Sequence, residues 1–121
     1  MSGDVDVPAD LAWAEERMTA GDGAAAVVER VLGPLTAYDG IHHGDLVRTV
    51  EVLIECRWSS TEAARRLFLL RNSILYRRAR IEAVSGLRLD DPDTRTLLDL
   101  ALRIRRRLAV RPAPDPQENS S

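Results

Sequence analysis

The sequence predicts an all-α fold of about five to six helices, and three observations predict it. No segment alternates apolar and polar residues over strand length. Apolar residues instead recur at three- and four-residue intervals in several windows, each bounded by Gly, Pro or a capping residue. The composition, 45% hydrophobic and 30% charged over 121 residues, is that of one modest globular domain rather than of a disordered chain.

Taken in order, Pro8 at a first helical position, followed by Leu11, Ala12, Glu15, Glu16 and Met18, predicts a short helix ending near Gly21 to Gly23. Residues 24–32 predict a second, with Val27, Val28, Val31 and Leu32 on one face and Gly33-Pro34 as its stop. Tyr38-Asp39-Gly40 and His42-His43-Gly44 read as turns. From about Asp45 to Arg57, Leu46, Val50, Leu53 and Ile54 mark a stronger helix with a core-facing stripe. Trp58-Ser59-Ser60 interrupts it, and Ser59 and Glu62 stand at capping-box spacing. The next helix, Thr61 to Phe68, places Ala63, Ala64, Leu67 and Phe68 on a narrow, small-residue face. Another opens near Asn72 and runs to Val84, where Ser85-Gly86 supplies a left-handed cap.

Asp91-Pro92 is an N-cap followed by Pro at the first helical position. Leu97, Leu98, Ala101, Ile104 and Leu108 then mark a long final helix. Its apolar stripe either packs on the helix from Asp45 to Arg57 or is shared with a partner chain. The tail from Arg111, with three Pro and no apolar periodicity, is expected to be disordered. The expected organisation is therefore a helical segment over 1–31 that looks like the end of a preceding region, a domain over 32–110, and a tail over 111–121.

Bulk charge is uninformative until it is divided along the chain. The 17 basic residues are all Arg and the acids number 19, a formal net charge of −2. Residues 1–56 hold three Arg against eleven acids, residues 57–88 eight Arg against Glu62 and Glu82, and residues 89–121 six of each. A near-neutral total thus conceals a basic middle, either the electrostatic footprint of a nucleic-acid binder or a solvated Arg-rich surface. One Cys excludes an intramolecular disulfide and a multi-Cys zinc site, and the apolar runs are too short to cross a membrane. The acidic N-terminus lacks the basic region of a signal peptide, and a cytoplasmic location is expected.

The informative segment is Ser59 to Ile81. Two short helices joined by a turn of about three residues form a helix-turn-helix, and their steep crossing needs small residues such as Ala63 and Ala64 at closest approach. The second helix of such a motif enters a DNA major groove with its first turn against base edges. Arg71, Asn72 and Ser73 stand at that turn, and Arg pairs bidentately with guanine as Asn does with adenine. Ser60, Thr61, Tyr76, Arg77 and Arg80 are placed to reach the phosphate backbone. The alternative is a helical protein-protein module in which Leu69, Leu70 and Leu75 meet a partner helix and the Arg residues form a solvated face.

Other features carry less. His42 and His43 lack a further ligand at metal spacing, Cys56 reads as a small buried hydrophobe, and Trp58 packs under a helix junction. Asp90-Asp91 belongs to a cap rather than to an acid-base pair. Arg103, Arg105, Arg106 and Arg107 either complement the last helix's dipole or contact phosphate. No Gly-rich phosphate loop and no nucleophile with an oriented base is present, so neither enzymatic activity nor a cofactor or metal is expected.

Leu32-Gly33-Pro34-Leu35, Tyr38-Asp39, His43-Gly44, Leu46 and Thr49 form a characteristic series. It continues through Ala63-Ala64, Leu67-Phe68, Arg71-Asn72-Ser73, Tyr76-Arg77, Arg80-Ile81 and Asp90-Asp91-Pro92. Together these resemble the C-terminal helix-turn-helix output domain of PucR-type transcriptional regulators, over about Val31 to Leu108. The resemblance implies a bacterial regulator that binds double-stranded DNA through a recognition helix opening at Arg71-Asn72-Ser73. It also implies a homodimer or higher oligomer, with a sensor domain or effector supplied elsewhere. The chain departs from that pattern with Leu70 for His, Ser73 for Thr, Leu75 at a basic or polar position, and Arg78 for Leu. Ile74, Arg78 and Ile81 share one face, so Arg78 is expected on the core stripe, with Glu82 four residues on as a local partner.

Overall fold

The computed structural model describes residues 23–109, together with Ala12; the expected first helix and the C-terminal tail lie outside the described residues. Five helices follow: α1 (Ala24–His42), α2 (Leu46–Glu55), α3 (Ser60–Leu67), α4 (Arg71–Ser85) and α5 (Pro92–Ala109). No strand occurs among the described residues.

Helix α1 corrects the sequence reading. It does not stop at Gly33-Pro34 but runs through Pro34 to His42, so Tyr38-Asp39-Gly40 is helical rather than a turn. It also passes without a break through the division expected between residues 31 and 32. Proline removes one hydrogen bond from a helix ladder and crowds the preceding turn, at a cost of about 3 kcal/mol in an isolated helix interior. Here Val27, Val31, Leu32 and Leu35 are all buried on one face, and that burial on both sides of the proline offsets the local defect. The ending comes only at His43, which adopts a left-handed φ of 51°.

Two core clusters share α2. On one side Leu46, Val47 and Val50 join Val27, Val31, Leu32 and Leu35 of α1 and Leu97, Leu98, Ala101, Leu102 and Ile104 of α5, closed by Ile81, Leu87 and Leu89. On the other, Val52, Leu53 and Cys56 meet Ala63 and Ala64 of α3 and Ile74 of α4. Trp58 packs against both clusters. The stripe on α5 is thus covered within the chain, chiefly by α1, with α2 second. Leu108, at its end, is half exposed.

The α1–α2 junction rests on Asp39. Asp45 occupies the N-cap position of α2 but makes no side-chain cap. The carboxylate of Asp39 instead accepts from the Leu46 amide at 2.8 Å and the Val47 amide at 3.0 Å. This carboxylate satisfies two otherwise orphaned donors and faces the positive end of the helix dipole. Gly44 permits the approach, because a Cβ there would stand 2.8 Å from Asp39 Oδ1 and 3.2 Å from the Tyr38 ring. Asp39→Ala is expected to lower the unfolding free energy by about 1 to 2 kcal/mol. The measurement is the urea midpoint at constant m-value, and an unchanged midpoint rules the cap out.

Candidate nucleic-acid interface

Helices α2, α3 and α4 surround a core whose smallest members, Ala63 and Ala64, lie where α3 approaches its neighbours. The Ser59 hydroxyl caps α3 by accepting from the Glu62 amide at 3.1 Å. The Glu62 carboxylate pairs with Arg65 on the surface. Helix α3 ends in a left-handed cap: Phe68 has φ 58°, the Phe68 amide donates to Arg65 O at 3.2 Å, and the Leu69 amide donates to Ala64 O at 2.8 Å. That paired hydrogen bonding is the Schellman pattern, with Phe in the position usually held by Gly. The expectation that Phe68 lies on the small-residue face is therefore corrected: its left-handed backbone turns it out of the helix, and it is 94% exposed.

Phe68 to Leu70 form the three-residue turn, and α4 opens at Arg71. Arg71 and Asn72 are exposed, and neither side chain makes a hydrogen bond or ion pair to another described residue. Ser73 is half-buried. Asn72, Ser73, Tyr76, Arg77 and Arg80 line one wall of a groove of about 470 Å³, whose other wall comes from the end of α1 and the start of α2. Thr61 is exposed at the start of α3, and Ser60 beside it is half-buried.

The remaining residues singled out from the sequence are tied into the scaffold to different degrees. Arg77 donates to the hydroxyl of fully buried Thr49 at 3.0 Å and lies 3.6 Å from Asp45, joining α4 to the start of α2. Arg80 donates to the Tyr76 hydroxyl at 2.7 Å and lies over the rings of Tyr76 and Tyr38, at 5.3 and 6.0 Å. Tyr38 stacks in turn on His42 at 4.2 Å. The Tyr76 hydroxyl raises the Arg80 pKa further, so this cation on the groove wall persists at every accessible pH.

Arg78 does lie toward the interior, 17% exposed, but its partner is not Glu82. One guanidinium nitrogen donates to Trp58 O at 3.2 Å and Ser60 Oγ at 3.0 Å, and another lies 3.8 Å from Asp90. Glu82 instead accepts from the Leu89 amide at 2.8 Å and closes the α4–α5 loop. Arg57 and Trp58 both have left-handed backbones, with φ of 55° and 66°. Arg78 therefore ties down a strained turn between α2 and α3. The sequence could not place this partner, because Trp58 and Ser60 are some twenty residues away along the chain.

Folding also redistributes the charge. Of the Arg residues in the basic middle, Arg66 pairs with Glu55, Arg77 with Asp45 and Arg78 with Asp90, all acids from outside that stretch. Arg65 pairs with Glu62 inside it. Among the described residues, Arg71 and Arg80 are the helix-turn-helix cations left without an acid. Arg103 pairs with Asp99 and, with Arg106, borders a separate groove between α2 and α5.

A three-helix unit with an alanine-lined crossing and an exposed first turn on its last helix is a helix-turn-helix domain. The family model of the PucR C-terminal helix-turn-helix domain matches residues 46–104, which span α2 to α5. The chain is also 39% identical over 61 residues to the purine catabolism regulatory protein of Bacillus subtilis (strain 168), a match over 50% of this chain. It spans 12% of that relative's length. No solved structure matches.

Proposed function

We propose that the domain binds double-stranded DNA sequence-selectively, as the output domain of a transcriptional regulator. The observation that carries this reading is the pair Arg71 and Asn72, exposed at the opening turn of α4 with side chains that bond to no other described residue. Both side chains keep their full hydrogen-bonding capacity where a recognition helix meets base edges, and Ser73 beside them adds a hydroxyl. Thr61, Tyr76 and Arg80 are the backbone contacts of this reading. Ser60 and Arg77, which the sequence also places among them, act mainly by fixing α3 and α4 through Arg78, Thr49 and Asp45. One module reads few base pairs, so a homodimer on half-sites about 34 Å apart is the expected working form, acting in the cytoplasm. An effector-sensing part is supplied elsewhere.

The competing reading, a protein-protein or dimerisation module, has exposed Leu70 and Leu75 in its favour. Leu69, its third contact, is half-buried and packs on the α2–α3–α4 core. Titration of the whole chain with random-sequence duplex between 50 and 200 mM salt separates the two. Neutralising two to four phosphates gives a log-log slope of about −2 to −4. Absence of binding even at the low-salt end rejects the DNA reading.

A further inference from the structure

Three large apolar side chains stand unburied at the turn and on the open stripe of α4: Phe68 at 94%, Leu70 at 78% and Leu75 at 39% exposure. Phe68 holds its place against a cost, since a left-handed backbone disfavours any side chain with a Cβ. No described residue buries it in return. Arg71, Leu75 and Ala79 fall at successive i, i+4 positions, and all three are exposed. The same stripe therefore offers an unpaired guanidinium, then a branched apolar group, then a methyl.

Resting on the DNA reading above, we propose that Leu75, with Leu70 and Phe68 at the turn, reads thymine 5-methyl groups in the major groove, beside the bases met by Arg71 and Asn72. The surface chemistry selects this occupant over an apolar partner helix. A helix face that covered Leu70 and Leu75 would also cover the Arg71 guanidinium and the Asn72 amide, leaving their donors without acceptors. The major-groove edge of DNA supplies both needs side by side. Guanine N7 and O6, adenine N7 and thymine O4 are acceptors, and the thymine methyl is the apolar group exposed there. Cytosine presents an amino donor and no methyl, so a Leu at this position discriminates T·A from C·G by what it covers and by what it leaves unpaired.

The test begins with a duplex selected by the full chain from a random-sequence pool. That duplex is then rebuilt with deoxyuridine replacing thymine one position at a time, which removes only the methyl. The parent chain is expected to bind about fourfold more weakly for each contacted methyl lost, while Leu75→Ala becomes indifferent to deoxyuridine at one of those positions, the one Leu75 covers. Phe68→Gly suits the left-handed cap, so its thermal midpoint should rise while its affinity for the thymine duplex falls. Four outcomes overturn the proposal. If the parent is indifferent to every deoxyuridine yet keeps its sequence preference and its dependence on Arg71, methyl reading is wrong and the DNA reading stands. If Leu75→Ala lowers affinity but leaves the deoxyuridine effect intact at every position, Leu75 reads no methyl and the proposal fails. If Phe68→Gly leaves affinity for the thymine duplex unchanged, Phe68 has no part in the reading. If no duplex binds at any salt concentration, the DNA reading itself falls.

Discussion

Arg71→Ala is expected to abolish most sequence preference while leaving the fold intact. Arg71 is exposed and its side chain bonds to no other described residue, so its truncation removes no such contact. A bidentate Arg–guanine contact contributes about 1 to 3 kcal/mol of discrimination, so affinity for a selected duplex should fall roughly tenfold or more. Binding to a scrambled duplex should change far less, and the salt slope should shift by no more than about one unit. The ratio of the two affinities is the quantity to measure, with the thermal midpoint as a control. Equal losses on both duplexes would reassign Arg71 to the phosphate backbone.

Arg78→Leu has the largest expected effect on stability, and its direction is a loss. On helical periodicity alone Arg78 is a charge on a core stripe, and replacing it with Leu should help. The three-dimensional partners reverse that sign. The guanidinium satisfies Trp58 O and Ser60 Oγ and secures the turn in which Arg57 and Trp58 have left-handed backbones. Hydrogen bonds to a charged group contribute about 1.5 to 3 kcal/mol, and their loss also leaves partly buried acceptors without a donor. Asp90 adds little, because its side chain is exposed. For a domain of this size a loss of 1 kcal/mol lowers the midpoint by about 4 to 8 °C, so Arg78→Leu should melt well below the parent. An unchanged or raised midpoint would show that the turn holds without the guanidinium.

The features legible in the sequence were those set by local chemistry. Ser59 with Glu62, Asp91 with Pro92, and Gly86 each mark a helix end through groups within a few residues, and the structure places helix ends at all three. Periodicity likewise recovers α2 and α5. The misses are tertiary. Gly33-Pro34 is a strong local stop signal, yet burial of Val27, Val31, Leu32 and Leu35 against α5 overrides it. The spacing of Val27, Val31 and Leu35 at i, i+4 and i+8 carried a signal for a continuous helix, but it is visible only if read through the proline. Asp39 as the cap of α2, Arg77 on Thr49, and Arg78 on Trp58 and Ser60 each join residues remote in sequence, and no spacing rule reaches them. In the candidate interface, residue type and position identified the opening turn of α4. Which of its cations remain free depended on acids arriving from elsewhere in the fold, at the start of α2 and in the α4–α5 loop.

On the proposed function, the opening turn of α4 enters the DNA major groove. Amide chemical-shift mapping of the isotope-labelled chain, titrated with a selected duplex, tests it most directly. The largest perturbations are expected at Thr61, Arg71, Asn72, Ser73, Leu75 and Tyr76, with little change at Glu51 and Asp99 in the α2–α5 groove. The reverse pattern, with a silent opening turn of α4 and the largest shifts along α2 and α5, would contradict it.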